Sequence, residues 1–421
     1  MTQHTPDSSA AASEPAETAS GAPVGGSGLS RTAIMGAVFL MATSAIGPGF
    51  ITQTANYTIS LGAAFACAIA ISIVVDIAVQ MNVWRVIGVS GMRAHELGNA
   101  VLPGVGYALA GLVVVGGLVF NIGNTAGAGL GVNAMFGLDP RIGGAASAVI
   151  AIGIFLSRRA GVALDRVVVL LGLLMIVATL AIAITSAPPV GSALLNVVAP
   201  EEFDFVATTT IIGGTVGGYI TYAGAHRLLD SGLTGPEHVR DIGRSSVISI
   251  LVTGLMRVLL FLAVLGVAAG GAALSQDAVG GPAGAAFSAA AGEVGLRVFG
   301  LILWSAALTS VIGAAYTSVS FLTTTATPER TRNLLTVAFI AFCAVVFVVI
   351  EEAPTRLLIF AGTFNGLILP IGFSVLLWVA WRRRDLLHGY AYPRWLLGVG
   401  VLAWLLTLYL GYNSLLLLGD L

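Results

Sequence analysis

Thr52, Gln53, Thr54 and Asn56 stand just after Gly47, Pro48 and Gly49 in a stretch that is otherwise apolar. Hydroxyl and amide side chains do not titrate in the working range; they offer paired donors and acceptors, and their chemistry is recognition of a ligand. A second set occurs in "GGTVGGYITY", which holds Gly213, Gly214, Thr215, Gly217, Gly218, Tyr219, Thr221 and Tyr222. The groups able to carry charge within apolar surroundings are fewer: Asp76, Arg257, His226, Asp230 and Arg332. His226 and Asp230 lie close in sequence, but no nucleophile with a base in reach and no spaced metal ligands accompany them. The chain is therefore not read as an enzyme, and neither a cofactor nor a resident metal is implied. Cys67 and Cys343 fall inside apolar runs and read as small core residues.

The elements that must position these groups are membrane helices. Apolar residues make up 57% of the chain and charged residues only 9%, with a mean hydropathy of +0.96. A water-facing surface cannot be built from so few charges. All 19 basic residues are Arg and form no basic patch, so nucleic acid is not an expected partner. The expected surroundings are the lipid bilayer and a small molecule or ion, with no protein partner implied.

A bilayer core takes about 20 apolar residues per helix, and eleven runs meet that demand. They lie at about 33–56, 61–84, 104–130, 143–157, 162–186, 206–228, 243–270, 293–322, 332–350, 355–380 and 394–417. Residues 1–29, rich in Ser, Ala, Pro and Gly, read as a disordered tail rather than a signal peptide. Arginines concentrate in alternate loops on the side of this tail: Arg85 and Arg93, Arg158 to Arg166, Arg227 to Arg244, Arg330 and Arg332, and Arg382 to Arg384. The opposite loops hold Glu201, Glu202, Asp204, Glu351 and Glu352. By the positive-inside rule the N-terminus is cytoplasmic, and an odd span count places Leu421 outside a cell inner membrane.

The glycine clusters interrupt spans one and six. These are counterparts if 33–186 and 206–380 are two repeats, with 394–417 an extra helix in a transporter domain covering 30–421. A break frees backbone groups that lipid cannot satisfy, so it is tolerated around a cavity, and paired breaks mark the binding site of an inverted-repeat transporter. On this reading Gly49, Thr52, Gln53, Thr54, Asn56, Gly214, Thr215, Gly217, Gly218, Tyr219 and Tyr222 line the site, with Gln53 and Asn56 in the unwound segment.

"GPGF" in span one, "IGNTAGAGLGVNAMFGL" from Ile122, "TSVIGAAYTS" from Thr309, and "RTRNLLTVAFIAFCAVVFVVI" followed by "LLIFAGTFNGLILPIGF" resemble the first, third, eighth, ninth and tenth helices of the NRAMP family of divalent-metal transporters. The resemblance implies an all-α membrane fold of about eleven spans, a LeuT-like five-plus-five inverted repeat plus one. That family's Asp-Pro-Gly-Asn motif and its sixth-helix Met have no equivalents here; the thioether position falls on Gly217. The third-helix acidic pair that conducts protons falls on Asn121 and Asn124, and one of two adjacent ninth-helix arginines persists as Arg332. With carboxylate and thioether ligands gone, the half-helix dipoles favour an anion. The chain also resembles a bacterial NRAMP-like branch linked by gene neighbourhood to breakdown of 5-oxoproline, a lactam acid.

Three readings stand. The first is a transporter of a small organic acid coupled to protons or sodium. The second is a divalent-metal transporter with an altered site, and the third an intramembrane enzyme. His226 and Asp230, after the second break, are candidate proton-pathway groups beside Asn121, Asn124 and Arg332. Asp76 and Arg257, each mid-span, should meet inside the bundle, where Asp76 either fixes Arg257 or titrates in place of the lost proton route.

Overall fold

The computed structural model describes residues 27–419, except 158, 273, 276, 277 and 351–353. The tail expected at 1–29 lies outside the described residues up to residue 26, as do Glu351 and Glu352. Every regular element described is helical: α1 (Ser27–Ala45), α2 (Pro48–Leu61), α3 (Phe65–Ser90), α4 (Ala94–Val101), α5 (Val105–Phe136), α6 (Pro140–Leu156), α7 (Ala160–Thr185), α8 (Val190–Val198), α9 (Phe205–Val216), α10 (Ile220–Asp230), α11 (Val239–Ala269), α12 (Gly281–Leu322), α13 (Glu329–Val349), α14 (Pro354–Arg382) and α15 (Arg394–Gly419).

Each expected span has its helix, with the first and sixth built from the pairs α1/α2 and α9/α10. Among the described residues, seven helical stretches are individually long and apolar enough to cross a bilayer, and α1, α6 and the described part of α14 are shorter apolar helices. The short α4 and α8 have no expected counterpart. Starts are written locally: Pro48 and Pro140 occupy first-turn positions where a missing N–H costs nothing. Asp204 caps α9 by accepting from Ala207 N at 2.9 Å.

Two groups of helices pack together. The broken pairs α1/α2 and α9/α10 contact α3 and α11, while α5, α6, α12 and α13 form a second group, with α7 touching both. Lipid-facing surface is visible on α7, where Leu170, Leu173, Val177, Leu180 and Ile184 recur every three or four residues and are all exposed. The α5–α12 contact is set by glycines: a Cβ at Gly131 would stand 2.6 Å from Trp304 N and 2.8 Å from Gly300 O. Those neighbours are backbone and cannot swing aside. Gly131→Ala should therefore push the two helices apart and cost about 1–3 kcal/mol, read as a lower melting temperature of the detergent-purified protein; an unchanged melting temperature would show that the contact yields.

Candidate functional site

The first break is short and its chemistry follows from Pro48. In a continuous helix the Thr43 carbonyl would accept from Gly47 N and the Ser44 carbonyl from position 48, where proline has no N–H. Gly47 N instead turns back to Ala45 O at 2.9 Å, and the helix resumes with Ile51 N to Gly47 O at 3.2 Å. The two freed carbonyls are met from α12, whose Ser310 Oγ lies 3.0 Å from Thr43 O and 3.4 Å from Ser44 O. Tyr219 OH reaches Ser44 O at 3.5 Å from the second break. Pro48 itself packs into a notch left by Gly127.

The second break is Gly217, Gly218 and Tyr219. Gly217 is extended and Gly218 has φ 56, a conformation in which a Cβ is strained. The N-caps of α2 (Gly47) and α10 (Tyr219) have no side-chain cap. The carbonyl end of α1 is thus covered, whereas neither half-helix N-terminus has a side-chain cap; in α10, Ile220 N closes on Gly217 O and Tyr222 N on Tyr219 O, each at 3.1 Å.

The expected site residues fall into two classes. Gly217, Gly218 and Tyr219 are at the break. Gln53 and Asn56 are not in an unwound segment: Thr52, Gln53, Thr54 and Asn56 are helical in α2, because the chain recovers helical geometry directly after Pro48. Gly213 and Gly214 likewise lie within α9, not in a break. Three expected lining hydroxyls are spent on their own turns, Thr52 on Pro48 O (3.0 Å), Thr54 on Phe50 O (2.8 Å) and Thr215 on Ile211 O (2.8 Å). Gly49 is partly exposed with open space around its α-carbon, and Asn56 is half-buried one turn beyond Thr52.

Other side chains converge on the break. Asn124, on α5 and wholly buried, places Oδ1 where a Cβ on Gly47 would be 3.4 Å away; it lies beside the Tyr219 hydroxyl, and neither of its amide atoms has a well-formed hydrogen bond. Gln53 Oε1, also unpartnered, rests against Gly214, whose Cβ would stand 2.6 Å from it. Tyr219 lies edge-on to Phe120 at 5.3 Å. Asn121, one turn before Asn124 on α5, and Thr317 and Ser318 on α12 are also buried side chains with unpartnered polar atoms, and Tyr222 OH is another. Ser310 was not among the expected residues; its signal is a serine in the apolar run "AALTSVIG". Beside α2 lies a cavity of about 150 Å³ lined by Pro48, Thr52, Leu130, Gly281 and Phe299.

The arginine-rich side is closed by a buried network. Asp230 Oδ1 receives Arg93 Nη2 and Arg332 Nη1, each at 2.8 Å, and Tyr316 OH donates to Oδ2. Arg93 also donates to Ser320 O at 2.6 Å. Arg227 forks onto Asp165 through Nε (2.9 Å) and Nη2 (2.7 Å). Arg93, Arg227 and Arg332 are therefore internal ties, a correction to their reading as loop charges. His226 is held on both sides: its Nε2 accepts from Ala94 N at 3.3 Å, leaving Nδ1–H to donate to Ser320 Oγ at 2.6 Å, which itself donates to Thr317 O. Both ring nitrogens are committed in the neutral form, so this imidazole ties α10 to α4 and α12 and has no lone pair free for a travelling proton.

Asp76 and Arg257 come together through an intermediary. Arg257 Nη1 donates to Thr215 Oγ1 at 2.9 Å and Ile211 O at 3.2 Å, and Asp76 borders the same threonine. The two charges make no direct ion pair, as the expected meeting would have had them do.

A model of the Nramp family, described as natural resistance-associated macrophage protein-like, matches residues 38–417. The chain belongs to the Nramp family. This Nramp protein is 50% identical over 383 residues to the uncharacterized membrane protein YcsG of Bacillus subtilis, covering 91% of this chain and 94% of the relative. It is 50% identical over 364 residues to an uncharacterized membrane protein of Haemophilus influenzae, covering 86% and 90%. Its fold is that of a manganese transporter from Eremococcus coleocola, with a TM-score of 0.73 at 19% identity over 91% of this chain and 86% of the other. The structure of MhsT in complex with L-phenylalanine gives a TM-score of 0.64 at 14% identity, over 90% and 98%. Among the described residues every regular element is helical, in a LeuT-like architecture broken in its first and sixth spans, and this Nramp chain is a multi-pass membrane protein.

Proposed function

We propose that this Nramp protein moves a small organic acid across the cell inner membrane by alternating access, coupled to protons or sodium, with its arginine-rich side cytoplasmic. The observation that carries the reading is the polarity of the break. The freed carbonyls of α1 are covered by Ser310 and Tyr219, while the N-termini of α2 and α10 are uncapped. Such a centre attracts the carboxylate of a ligand. Asn124 and Gln53 add unpartnered amide atoms, which suit a lactam acid such as 5-oxoproline, with one donor and one acceptor beside its carboxylate. Among the described residues no three of His, Cys, Asp and Glu group as metal ligands, and the side chains at the break are amide, hydroxyl and phenol rather than carboxylate or thioether. Manganese, the cargo named for the Eremococcus coleocola relative, fits these donors less well.

In this scheme 33–186 and 206–380 act as two repeats. The cavity beside Pro48 is the outer approach, and the Asp230 network is the closed inner door. Asn121, Thr317, Ser318 and Tyr222 form the polar strip by which cargo leaves once that door opens.

Proteoliposome uptake tests the reading. Labelled 5-oxoproline should accumulate under a proton or sodium gradient, and Mn²⁺ should bind purified protein only as weakly as a nonspecific ion in calorimetry. Micromolar Mn²⁺ binding that disappears on substitution in α1 or α2 would replace the organic acid by a divalent metal.

A further inference from the structure

We infer that Arg257 is the anchor for the carboxylate of the transported acid and that Asp76 is its exchangeable counter-charge. The inference rests on the organic-acid reading above and deepens it.

Arg257 is 2% exposed. Its guanidinium uses one nitrogen only: Nη1 donates to Thr215 Oγ1 and Ile211 O, and the plane lies over the Phe50 ring with Cζ 4.2 Å from the centroid. Nε and Nη2 are buried with no partner. These two atoms form the edge of the fork that binds a carboxylate through two parallel hydrogen bonds. Arg227 spends the same edge on Asp165, and Arg93, whose Nε is also without a partner, still spends Nη2 on Asp230; Arg257 leaves both atoms of the edge free. Leaving a buried guanidinium edge empty is costly, so it is held for something that comes and goes.

The surroundings suit a lactam acid. Thr215, which fixes Nη1, is adjacent on α9 to Gly214, and Gly214 touches Gln53. Phe50, under the guanidinium, is three residues before Gln53 and shares its face of α2. The unpartnered atoms of this cluster are Arg257 Nε and Nη2, Gln53 Oε1 and Asp76 Oδ1. Two donors meet a carboxylate and the Gln53 oxygen meets a lactam N–H. Access requires α2 and α9 to part, and these are the two outer half-helices.

Among the described residues Arg257 is the charged group that acts on Asp76, and Asp76 the one that acts on Arg257. The faces of α2 and α9 toward them present the neutral Phe50, Gln53 and Thr215. When a carboxylate takes the free edge of Arg257, Asp76 loses its counter-charge and takes one proton from the outer solution onto its carboxylate. The proton leaves to the inner solution when the acid departs and Arg257 again faces Asp76. One proton then travels with each carboxylate.

The test uses full-length protein and labelled 5-oxoproline, with 2-pyrrolidinone, which lacks the carboxylate, as competitor. In the wild type, affinity for the acid should rise as pH falls, by at most about tenfold per unit, because one proton is bound with each acid. Asp76→Asn should bind at least as tightly and without pH dependence. Arg257→Lys should lose roughly 10- to 100-fold in affinity for the acid and none for 2-pyrrolidinone. Because Arg257→Gln alone strands Asp76, the paired variant Asp76→Asn/Arg257→Gln serves as the folded, neutral control, and it too should lose the acid selectively. Wild-type affinity for the acid in folded Arg257→Lys and in the paired variant overturns the anchor and leaves the transporter reading intact. A normal loss in Arg257→Lys with a flat wild-type pH profile overturns the role of Asp76. Folded wild-type protein that binds no acid overturns the organic-acid reading itself, and this inference with it.

Discussion

Asp230→Ala should lower the melting temperature of the detergent-purified protein more than any other single substitution on the arginine-rich side, at a cost of about 3–5 kcal/mol. Its carboxylate is the common acceptor for two guanidiniums and a phenol, and its side chain is 2% exposed. Arg93 is the more demanding partner, since its side chain is fully buried, whereas that of Arg332 is 14% exposed and water can reach it. Removing the carboxylate leaves the Arg93 charge with only neutral acceptors, Ser320 O and Thr323 Oγ1. Adding Arg93→Met to Asp230→Ala should recover part of the loss, because the stranded charge is gone. Arg332→Met alone should cost less than Arg93→Met. Melting curves of the four variants decide the matter, and equal stability of Asp230→Ala and wild type would remove the network from the fold's supports. The same variants report on transport: if this network is the inner door, Asp230→Ala should raise the labelling of cysteines introduced along the strip from Asn121 to Ser318.

The second large effect is expected at Asn124 and Gln53. Asn124 is buried with both amide atoms unpartnered, and the half-buried Gln53 has a buried, unpartnered Oε1, at the crossing of the two breaks. A desolvated amide already costs the empty protein free energy, so a ligand that satisfies it gains the whole hydrogen bond. Asn124→Ala and Gln53→Ala should each weaken substrate binding roughly 10- to 100-fold without lowering the melting temperature. Asn56→Ala, further along α2, should weaken it less. Equilibrium binding to purified variants is the measurement, and unchanged affinity in both would take the site away from this crossing.

What the one-dimensional pattern conveys is a matter of which forces act locally. Span existence depends on run length and apolar content, and all eleven runs are helical. The eight-residue α4 and nine-residue α8 escape detection because a helix that short does not create a run. Pro48 locates the first break to within a residue, since a missing N–H acts at one position. Glycine is permissive rather than prohibitive, and the four glycines of "GGTVGG" look alike until the backbone shows that Gly213 and Gly214 stay helical. Hydroxyls are ambiguous for a similar reason: Thr54 or Thr215 satisfies itself on the preceding turn as readily as it lines a cavity. Arginine is harder still. Arg93, Arg227 and Arg332 sit at helix ends like solvated loop charges, and only the three-dimensional approach of Asp165 and Asp230 shows that they are internal.

The seat of Pro48 against Gly127 has a mechanical corollary. α2 begins there and runs 14 residues, about 21 Å at 1.5 Å per residue, while the α5–α12 wall beneath it is locked by the Gly131–Gly300 approach. A rod seated backbone-close at one end and held at the other only by the side-chain packing of Tyr57 and Leu61 near Phe65 behaves as a lever with its fulcrum at the proline. A tilt of about 10° would carry the Leu61 end through roughly 3–4 Å over that length while displacing the Gly47 end by a small fraction of it. The outer mouth can therefore widen by about the width of a water molecule with the Asn124 side of the site hardly disturbed. The cargo would meet a finished grip at the pivot before the far end of the rod has come to rest.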